Sequence, residues 1–233
     1  MLSALELTGR ARTHVREFVI DEATRFVAHD KAGEAFMHMR AAAARHGIDL
    51  VPLSAFRDFA GQMKIWTAKW NGERPLYDAD GGVIPHGALD EDGLVDAILS
   101  WSALPGASRH HWGSEFDVID RAALPDGYRP RLLPDEYVAG GPFARLGEWL
   151  HTGPIEFGFF RPYDIERGGL HPEPWHLSWA PLAVPALGAL TPELMREAIE
   201  AASDMPGRER VLARIEHIHT VQVCRVGAPA WPV

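Results

Sequence analysis

The 233-residue sequence predicts an α+β fold in a single domain. Segments with helical and with strand patterns alternate, but without the regular strand–helix–strand rhythm of a parallel α/β sheet. Hydrophobic residues make up 46% of the chain and charged residues 24%, as in an ordinary globular protein. No linker-like stretch interrupts the chain. We therefore expect one domain over 1–233, with its motifs between about 31 and 180 and a helical extension over about 190–220.

The first third of the chain predicts two helices separated by a strand. Lys31 to His46 is rich in helix-forming residues and is followed by Gly47, which is well placed to end a helix. Asp49 to Phe56 is mostly apolar and compatible with an extended strand. Asp58 to Trp70 has large apolar side chains at helical spacing and is predicted to be the second helix.

Loops separate the elements that are predicted after residue 70. Gly, Pro or Asp are frequent in Arg74–Gly93 and in Leu124–Gly141, so both segments are predicted as ordered loops, which often form binding walls. Between them we expect a short helix over about Asp92–Trp101 and a buried strand over Phe116–Ile119. The later predicted elements are a helix marked by Phe143, Leu146, Trp149 and Leu150, and a helix over Thr191–Ser203 that Thr191 caps.

Charge and cysteine content exclude several classes of function. The chain has 23 Lys and Arg against 32 Asp and Glu, and it has no basic cluster, so nucleic acid is not expected as a partner. The single Cys224, predicted to be a small buried residue, excludes an internal disulfide and any cysteine-rich metal site. No apolar stretch approaches the ~18–20 residues of a membrane span. The amino terminus lacks a signal pattern, so we expect a cytoplasmic protein, or a periplasmic or cell-envelope protein if a leader has been removed.

Two short segments hold side chains that suit a metal centre. Residues 108–117 read SRHHWGSEFD, and residues 171–179 read HPEPWHLSW. Together they offer two imidazoles and one carboxylate, from His110, Asp117 and His176. The single carboxylate offsets one unit of the charge of a bound zinc ion. Three protein ligands leave the fourth coordination position to a water molecule, and the ion lowers the pKa of that water to about 7. The two segments therefore predict a catalytic zinc site.

Glu173 stands beside the last of these candidate ligands. A catalytic zinc centre needs a carboxylate within hydrogen-bond reach of the water, to take its proton and pass it to the leaving amine. Pro172 and Pro174 exclude a regular helix around Glu173, and residues three apart in a strand face opposite sides. We therefore expect a turn or bulge between Glu173 and His176. The neighbouring His111 and His171 are not predicted as ligands.

The pattern Ser-x-His-x-x-Gly-x-x-x-Asp, followed by Glu-Pro-Trp-His, resembles the VanY-like zinc D,D-carboxypeptidases and related peptidoglycan peptidases. These share a fold with D-alanyl-D-alanine dipeptidases and the signalling domain of hedgehog proteins. A third element of the family, an aromatic-Arg pair followed by Gln, occurs as Phe56-Arg57 and Gln62. The resemblance covers about residues 54–179 and implies a small antiparallel sheet flanked by helices. Glu115 and Phe116 fill positions that are often small or aliphatic in relatives, and we expect them to affect mainly strand packing.

The resemblance implies a role for each matched residue. One zinc ion per chain would be bound by His110, Asp117 and His176, with Glu173 as general base and acid. Arg57 would lie beside the scissile carbonyl or the substrate's carboxylate, where a guanidinium can stabilise negative charge. The residues implied to contact or enclose the peptide are Gln62 and Ser108, as hydrogen-bonding groups, and Trp175, as part of the pocket wall.

The function that the resemblance implies is hydrolysis of peptidoglycan stem peptides, with release of a terminal D-alanine. An endopeptidase or an L,D-carboxypeptidase stays open as an alternative, because pocket depth and the loops Arg74–Gly93 and Leu124–Gly141 would decide between them. A non-catalytic, zinc-stabilised binding module is an alternative of another class. The presence of both Glu173 and Arg57 argues against it, since a binding module does not need a proton shuttle.

Overall fold

The computed structural model describes residues 1–231, and within them the chain forms eight strands and nine α-helices. The strands are β1 (Val15–Val19), β2 (Arg25–His29), β3 (Leu50–Ser54), β4 (Leu76–Tyr77), β5 (Val83–Ile84), β6 (Glu115–Asp120), β7 (Phe159–Phe160) and β8 (His176–Trp179). The helices are α1 (Ala4–Leu7), α2 (Asp30–Arg45), α3 (Phe59–Trp70), α4 (Glu91–Leu99), α5 (Ala144–Trp149), α6 (Ala180–Ala189), α7 (Pro192–Glu200), α8 (Arg208–Ala213) and α9 (Ile215–Ile218). This mixture, with small antiparallel sheets, confirms the predicted α+β class.

The central sheet has four antiparallel strands in the order β3-β6-β8-β7. Strand β6 is buried along its whole length, because it has a neighbour on each side and is covered on both faces. Its side chains alternate between the two faces, so Glu115 and Asp117 face one side and Phe116 the other. The Phe116 ring stacks on Phe36 of α2 with centroids 4.6 Å apart, and this contact fixes α2 against the sheet.

Most of the predicted elements are present within one or two residues of their expected ends. The helices expected in the first half correspond to α2, α3 and α4, and those expected later to α5 and α7. Asp58 and Thr191 cap α3 and α7, each by accepting a hydrogen bond from a backbone N–H three residues on. No helix of residues 1–231 is both long enough and apolar enough to cross a membrane.

The structure adds elements that the sequence did not predict and corrects one expectation. Strands β1 and β2 form an amino-terminal hairpin, and β4 and β5 form a second hairpin inside the predicted loop Arg74–Gly93. Helix α6 is apolar on all sides and contains Pro185, so no helical periodicity marked it. The prediction that Cys224 is buried is wrong, because this residue follows the last helical turn and is exposed.

The glycine of the first motif has a backbone conformation that favours glycine. Gly113 ends the short 3₁₀ turn Arg109–Trp112 with a φ of 71° and accepts a hydrogen bond from the His29 N–H at 2.9 Å. A Cβ at this position would lie 2.6 Å from Val15 Cγ1 and 2.7 Å from the His29 backbone nitrogen. The amino-terminal hairpin therefore packs directly on the turn that carries the motif, and only glycine leaves room for it.

We predict that Gly113→Ala lowers the free energy of unfolding by about 2–4 kcal/mol, as the sum of left-handed strain and the overlap with the hairpin. Gly127→Ala is the matched control, because Gly127 has a φ of 72° but no atom of residues 1–231 within 4 Å of the place that an added methyl carbon would take. Gly127→Ala should lower the free energy of unfolding by only about 1 kcal/mol. Urea unfolding of both variants measures the difference, and equal losses would contradict the packing role of Gly113.

Candidate metal centre

His110, Asp117 and His176 converge on one point. Their ligand atoms all lie within 4.8 Å of one another, and the three side chains are buried. His110 lies in the turn before β6, Asp117 in β6, and His176 at the start of β8. The antiparallel pairing of β6 with β8 sets Asp117 directly opposite His176. Asp117 Oδ2 is 3.2 Å from His110 Nε2, and Asp117 Oδ1 is 3.0 Å from His176 Nδ1.

Hydrogen bonds of the two histidine rings indicate which nitrogen of each ring is available to a metal ion. His110 Nδ1 is 2.7 Å from the carbonyl oxygen of Ala55, which can only accept, so Nδ1 carries the proton and Nε2 presents a lone pair. His176 Nε2 donates to Glu115 Oε2 at 2.8 Å, which leaves the lone pair on Nδ1. Both rings therefore aim a lone pair toward the carboxylate of Asp117, the arrangement that a metal-binding histidine requires.

The charge around His176 also favours a bound cation. Burial alone would lower the pKa of His176, but the neighbouring carboxylates of Asp117, Glu115 and Glu173 raise it well above its ordinary value. Asp117 Oδ1 is buried and, apart from His176 Nδ1 at 3.0 Å, has no polar partner within residues 1–231. Two imidazole nitrogens and a buried carboxylate that faces them form a donor set that fits a divalent metal ion such as zinc.

Glu173 lies beside the same point, and the expected turn is present. The backbone N–H of His176 donates to the backbone carbonyl of Glu173 at 3.2 Å, so the chain turns just before β8 begins. As a result, Glu173 Oε2 is 3.2 Å from His176 Nδ1 instead of facing the opposite side of a strand. The Glu173 side chain is almost fully buried. A proton-accepting carboxylate thus stands next to the three candidate ligands.

Arg57 is held at the site by neutral partners. Its Nη1 donates to Gln62 Oε1 at 2.7 Å and its Nη2 to Ser54 Oγ at 2.6 Å. No carboxylate of residues 1–231 lies within 4.0 Å of its guanidinium, so its charge is not neutralised by an ion pair.

His111 has a structural position behind Arg57. Its Nδ1 is 2.6 Å from the Arg57 carbonyl oxygen, and this contact fixes the backbone at Arg57. Burial lowers the pKa of His111 to about 3, so the ring stays neutral in this structural position.

All eight site residues predicted from the sequence line one cleft of about 680 Å³. They are His110, Asp117, His176, Glu173, Arg57, Gln62, Ser108 and Trp175. Ser108 Oγ is buried and has no hydrogen-bond partner within residues 1–231. Gln62 differs from the expectation in one respect: its Oε1 accepts from Arg57 and its Nε2 donates to the Ala103 carbonyl at 2.7 Å, so it holds Arg57 in addition to lining the cleft.

The two loops that were expected to form walls both reach the cleft. The first loop contributes Arg74, Pro75 and Tyr77 to the lining, and the second contributes residues 129–133. The second wall is organised by Glu136, a buried carboxylate that accepts hydrogen bonds from the backbone N–H groups of Arg131 and Leu133 and from the Tyr128 hydroxyl. The loop therefore has a fixed shape where it borders the site.

Glu115 is a residue whose importance the sequence did not reveal, and the expectation that it affects mainly strand packing is wrong. It is fully buried, and besides His176 it contacts Arg109 Nε at 3.3 Å and accepts from the hydroxyls of Ser114 and Ser178, each at 2.8 Å. Burial would raise the pKa of Glu115, but Arg109 and His176 lower it to about 2. The signal was a carboxylate two residues before Asp117, and therefore on the same face of β6, six residues after an arginine.

Comparison with known proteins finds one matching family and two sequence relatives. A family model described as "VanY: D-alanyl-D-alanine carboxypeptidase" matches residues 26–182. An uncharacterized protein of Haemophilus influenzae is 35% identical over 117 residues, which is 49% of this chain and 88% of that protein. A second uncharacterized protein of the same species is 37% identical over 98 residues, 42% of this chain and 67% of the other.

Two solved structures share the fold at low sequence identity. VanYB in complex with D-alanine-D-alanine is 19% identical with a TM-score of 0.50, over 82% of this chain and 91% of that chain. The LdcB LD-carboxypeptidase is 20% identical with a TM-score of 0.52, over 83% of this chain and 80% of that chain. The likeness extends beyond the motifs and covers most of the helices and strands.

We predict that Glu115→Gln weakens zinc binding by about tenfold or more, because it removes the charge that orients and polarises His176. Glu136→Gln is the matched control, since Glu136 is equally buried but lies away from the candidate ligands. It should lower stability and leave zinc affinity unchanged. Competition with a chromophoric chelator measures both affinities, and a Glu115→Gln affinity equal to that of the wild type would refute the role of Glu115.

Proposed function

The chain belongs to the VanY family of D-alanyl-D-alanine carboxypeptidases, a family of peptidoglycan peptidases, and on that basis we propose that it is a zinc-dependent D,D-carboxypeptidase. Its substrate would be a peptidoglycan stem peptide from which it releases the terminal D-alanine. The observation that carries the proposal is the convergence of His110, Asp117 and His176 within 4.8 Å, with Glu173 and an unpaired Arg57 in the same cleft.

Zinc is the metal that we assign to this site, held by His110 Nε2, His176 Nδ1 and the Asp117 carboxylate. Such an ion, when bound, supplies a Lewis acid that makes water a stronger nucleophile and polarises a carbonyl. Two groups behind the ligands keep the imidazole rings oriented: the Ala55 backbone carbonyl accepts from His110 Nδ1, and the Glu115 carboxylate accepts from His176 Nε2. Because these contacts already exist, little reorganisation accompanies binding.

Glu173 carries the proton in the proposed reaction. Its carboxylate accepts a proton from the attacking water as the water oxygen bonds to the scissile carbonyl carbon. When the C–N bond breaks, the same carboxyl gives that proton to the departing amine of D-alanine, which restores the carboxylate. Its position 3.2 Å from His176 Nδ1 puts it next to the ligand point, which supports this role.

Arg57 supplies positive charge where the peptide carbonyl develops negative charge. Its guanidinium lacks a carboxylate partner within residues 1–231 and is oriented by Gln62 and Ser54, so its free N–H groups are available to the substrate. Ser108 has an unpartnered buried hydroxyl that can hydrogen-bond the peptide, and Trp175 contributes to the wall of the cleft. These residues position the peptide relative to Glu173.

The charge of the cleft favours a carboxypeptidase over an endopeptidase. Six of the residues that line it are Lys or Arg and two are Asp or Glu, although the whole chain has a net charge of −9. Arg109 and Arg131 are paired with carboxylates outside the lining, whereas the other four cations have no carboxylate within 4.0 Å in residues 1–231. A free carboxyl terminus is the anionic group that distinguishes a carboxypeptidase substrate from an internal peptide bond. An L,D-carboxypeptidase would use the same residues, and the products of hydrolysis distinguish the two.

We predict that Glu173→Gln lowers kcat for D-alanine release by about 10²–10⁴-fold, because it removes the proton acceptor. Glu166→Gln is the control, because Glu166 is an exposed carboxylate seven residues before Glu173, and this variant should keep wild-type activity. The measurement is mass spectrometry of a defined pentapeptide ending in D-alanyl-D-alanine, with and without a chelator. Full activity of Glu173→Gln would exclude Glu173 as the base. Cleavage at an internal peptide bond would show that the enzyme is an endopeptidase and not a carboxypeptidase.

A further inference from the structure

Tyr163 is a cleft residue that lies outside the two motifs. It follows β7 by three residues and lines the cleft, with only 6% of its surface exposed. Its ring packs edge-on against the His176 ring, with centroids 5.0 Å apart and planes at 77°. Its backbone carbonyl accepts a hydrogen bond from the Glu173 N–H at 2.9 Å. Tyr163 therefore adjoins both a candidate metal ligand and the proposed proton carrier.

The hydroxyl of Tyr163 differs from that of Tyr137, the other buried tyrosine beside the site. Tyr137 donates to the Val118 carbonyl at 2.8 Å. The Tyr163 oxygen has no hydrogen-bond partner within residues 1–231, although it is not closed off from solvent as Ser108 Oγ is. Because the ring lines the cleft, the space that this hydroxyl can reach is the cleft itself.

Packing alone does not explain a tyrosine at this position. A phenylalanine would fill the same space against His176. A hydroxyl that is largely removed from bulk water and receives no protein partner is unfavourable. Since a phenol is protonated at neutral pH, it offers a hydrogen bond to an acceptor in the cleft. The unpartnered hydroxyl therefore indicates a ligand with acceptor oxygens, such as a peptide.

The neighbours of Tyr163 select the part of the peptide that its hydroxyl can meet. In the proposed reaction, Glu173 takes a proton from the water that attacks the scissile carbonyl, and His176 belongs to the ligand set at the same point. The substrate group that lies beside both residues is therefore the scissile carbonyl. As the water adds, the carbonyl carbon becomes tetrahedral and its oxygen becomes negative, which strengthens any hydrogen bond that this oxygen accepts.

Resting on the proposed function, we propose that Tyr163 is a catalytic residue whose hydroxyl donates a hydrogen bond to the oxygen of the scissile carbonyl as negative charge develops there. It acts together with Arg57, which lies on a separate segment of the chain, between β3 and α3. The phenol keeps its hydrogen throughout, and Glu173 remains the group that moves the proton. Because the hydrogen bond is strongest in the transition state, it raises kcat more than it tightens substrate binding.

Removal of the hydroxyl alone tests the proposal. Tyr163→Phe should lower kcat for D-alanine release by about 10- to 100-fold and change KM by less than about threefold, because the lost hydrogen bond is to a charge that develops in the transition state. Its melting temperature should equal or exceed that of the wild type, since no hydrogen bond within the protein is lost. Tyr137→Phe is the matched control: it loses the bond to the Val118 carbonyl, so it should melt at a lower temperature and keep the wild-type kcat.

A phosphinate analogue of D-alanyl-D-alanine separates this inference from the proposed function. Its tetrahedral, anionic phosphinate group resembles the charged state of the carbonyl. In calorimetry, zinc-loaded Tyr163→Phe should therefore bind it about 10- to 100-fold more weakly than the zinc-loaded wild type. If the wild type hydrolyses no stem peptide, the proposed function fails, yet this affinity difference would still support the hydrogen bond from Tyr163.

Equal affinities of the two proteins for the phosphinate overturn the inference. So does a Tyr163→Phe variant that raises KM and leaves kcat unchanged, because the hydroxyl would then bind the substrate in its ground state. A variant that loses activity only in proportion to its thermal stability overturns it as well, since the hydroxyl would then have a structural role.

Discussion

The register between β6 and β8 is the constraint on which the candidate site depends. Asp117 and His176 are 59 positions apart in the sequence, and they meet because antiparallel pairing sets them opposite one another. A shift of one residue would turn Asp117 to the opposite face of the sheet. Phe116 prevents such a shift, because its ring is fixed against Phe36 in the core. The packing of the core thus determines the geometry of the site.

Buried polar contacts then orient the candidate ligands. The Ala55 carbonyl and the Glu115 carboxylate each accept a hydrogen bond from one imidazole N–H, so the opposite nitrogen of each ring is free. Glu115 can remain charged in the interior because Arg109 and two serine hydroxyls surround it. Without these partners, a buried carboxylate would be strongly unfavourable and would cease to polarise His176.

The sequence predicted the local features of the structure and site better than the long-range ones. Helices α2 and α3 and the turn before His176 follow from periodicity, capping residues and proline positions, which act over a few residues. The role of Glu115 depends on Arg109, Ser178 and His176 meeting in the fold, and one sequence does not specify that meeting. Helix α6 was missed because its residues are apolar on the exposed side as well as on the buried side, so no helical pattern remains. Only the resemblance to a known family added Arg57 and Gln62 to the two segments that hold the candidate metal ligands.

X-ray absorption spectroscopy at the zinc edge tests the central claim most directly. The account predicts one zinc ion per chain with two imidazole nitrogens and carboxylate or water oxygens at about 2.0–2.2 Å, and loss of the imidazole signal by half in His176→Ala. A zinc ion bound without histidine, or a spectrum that His176→Ala leaves unchanged, would contradict it.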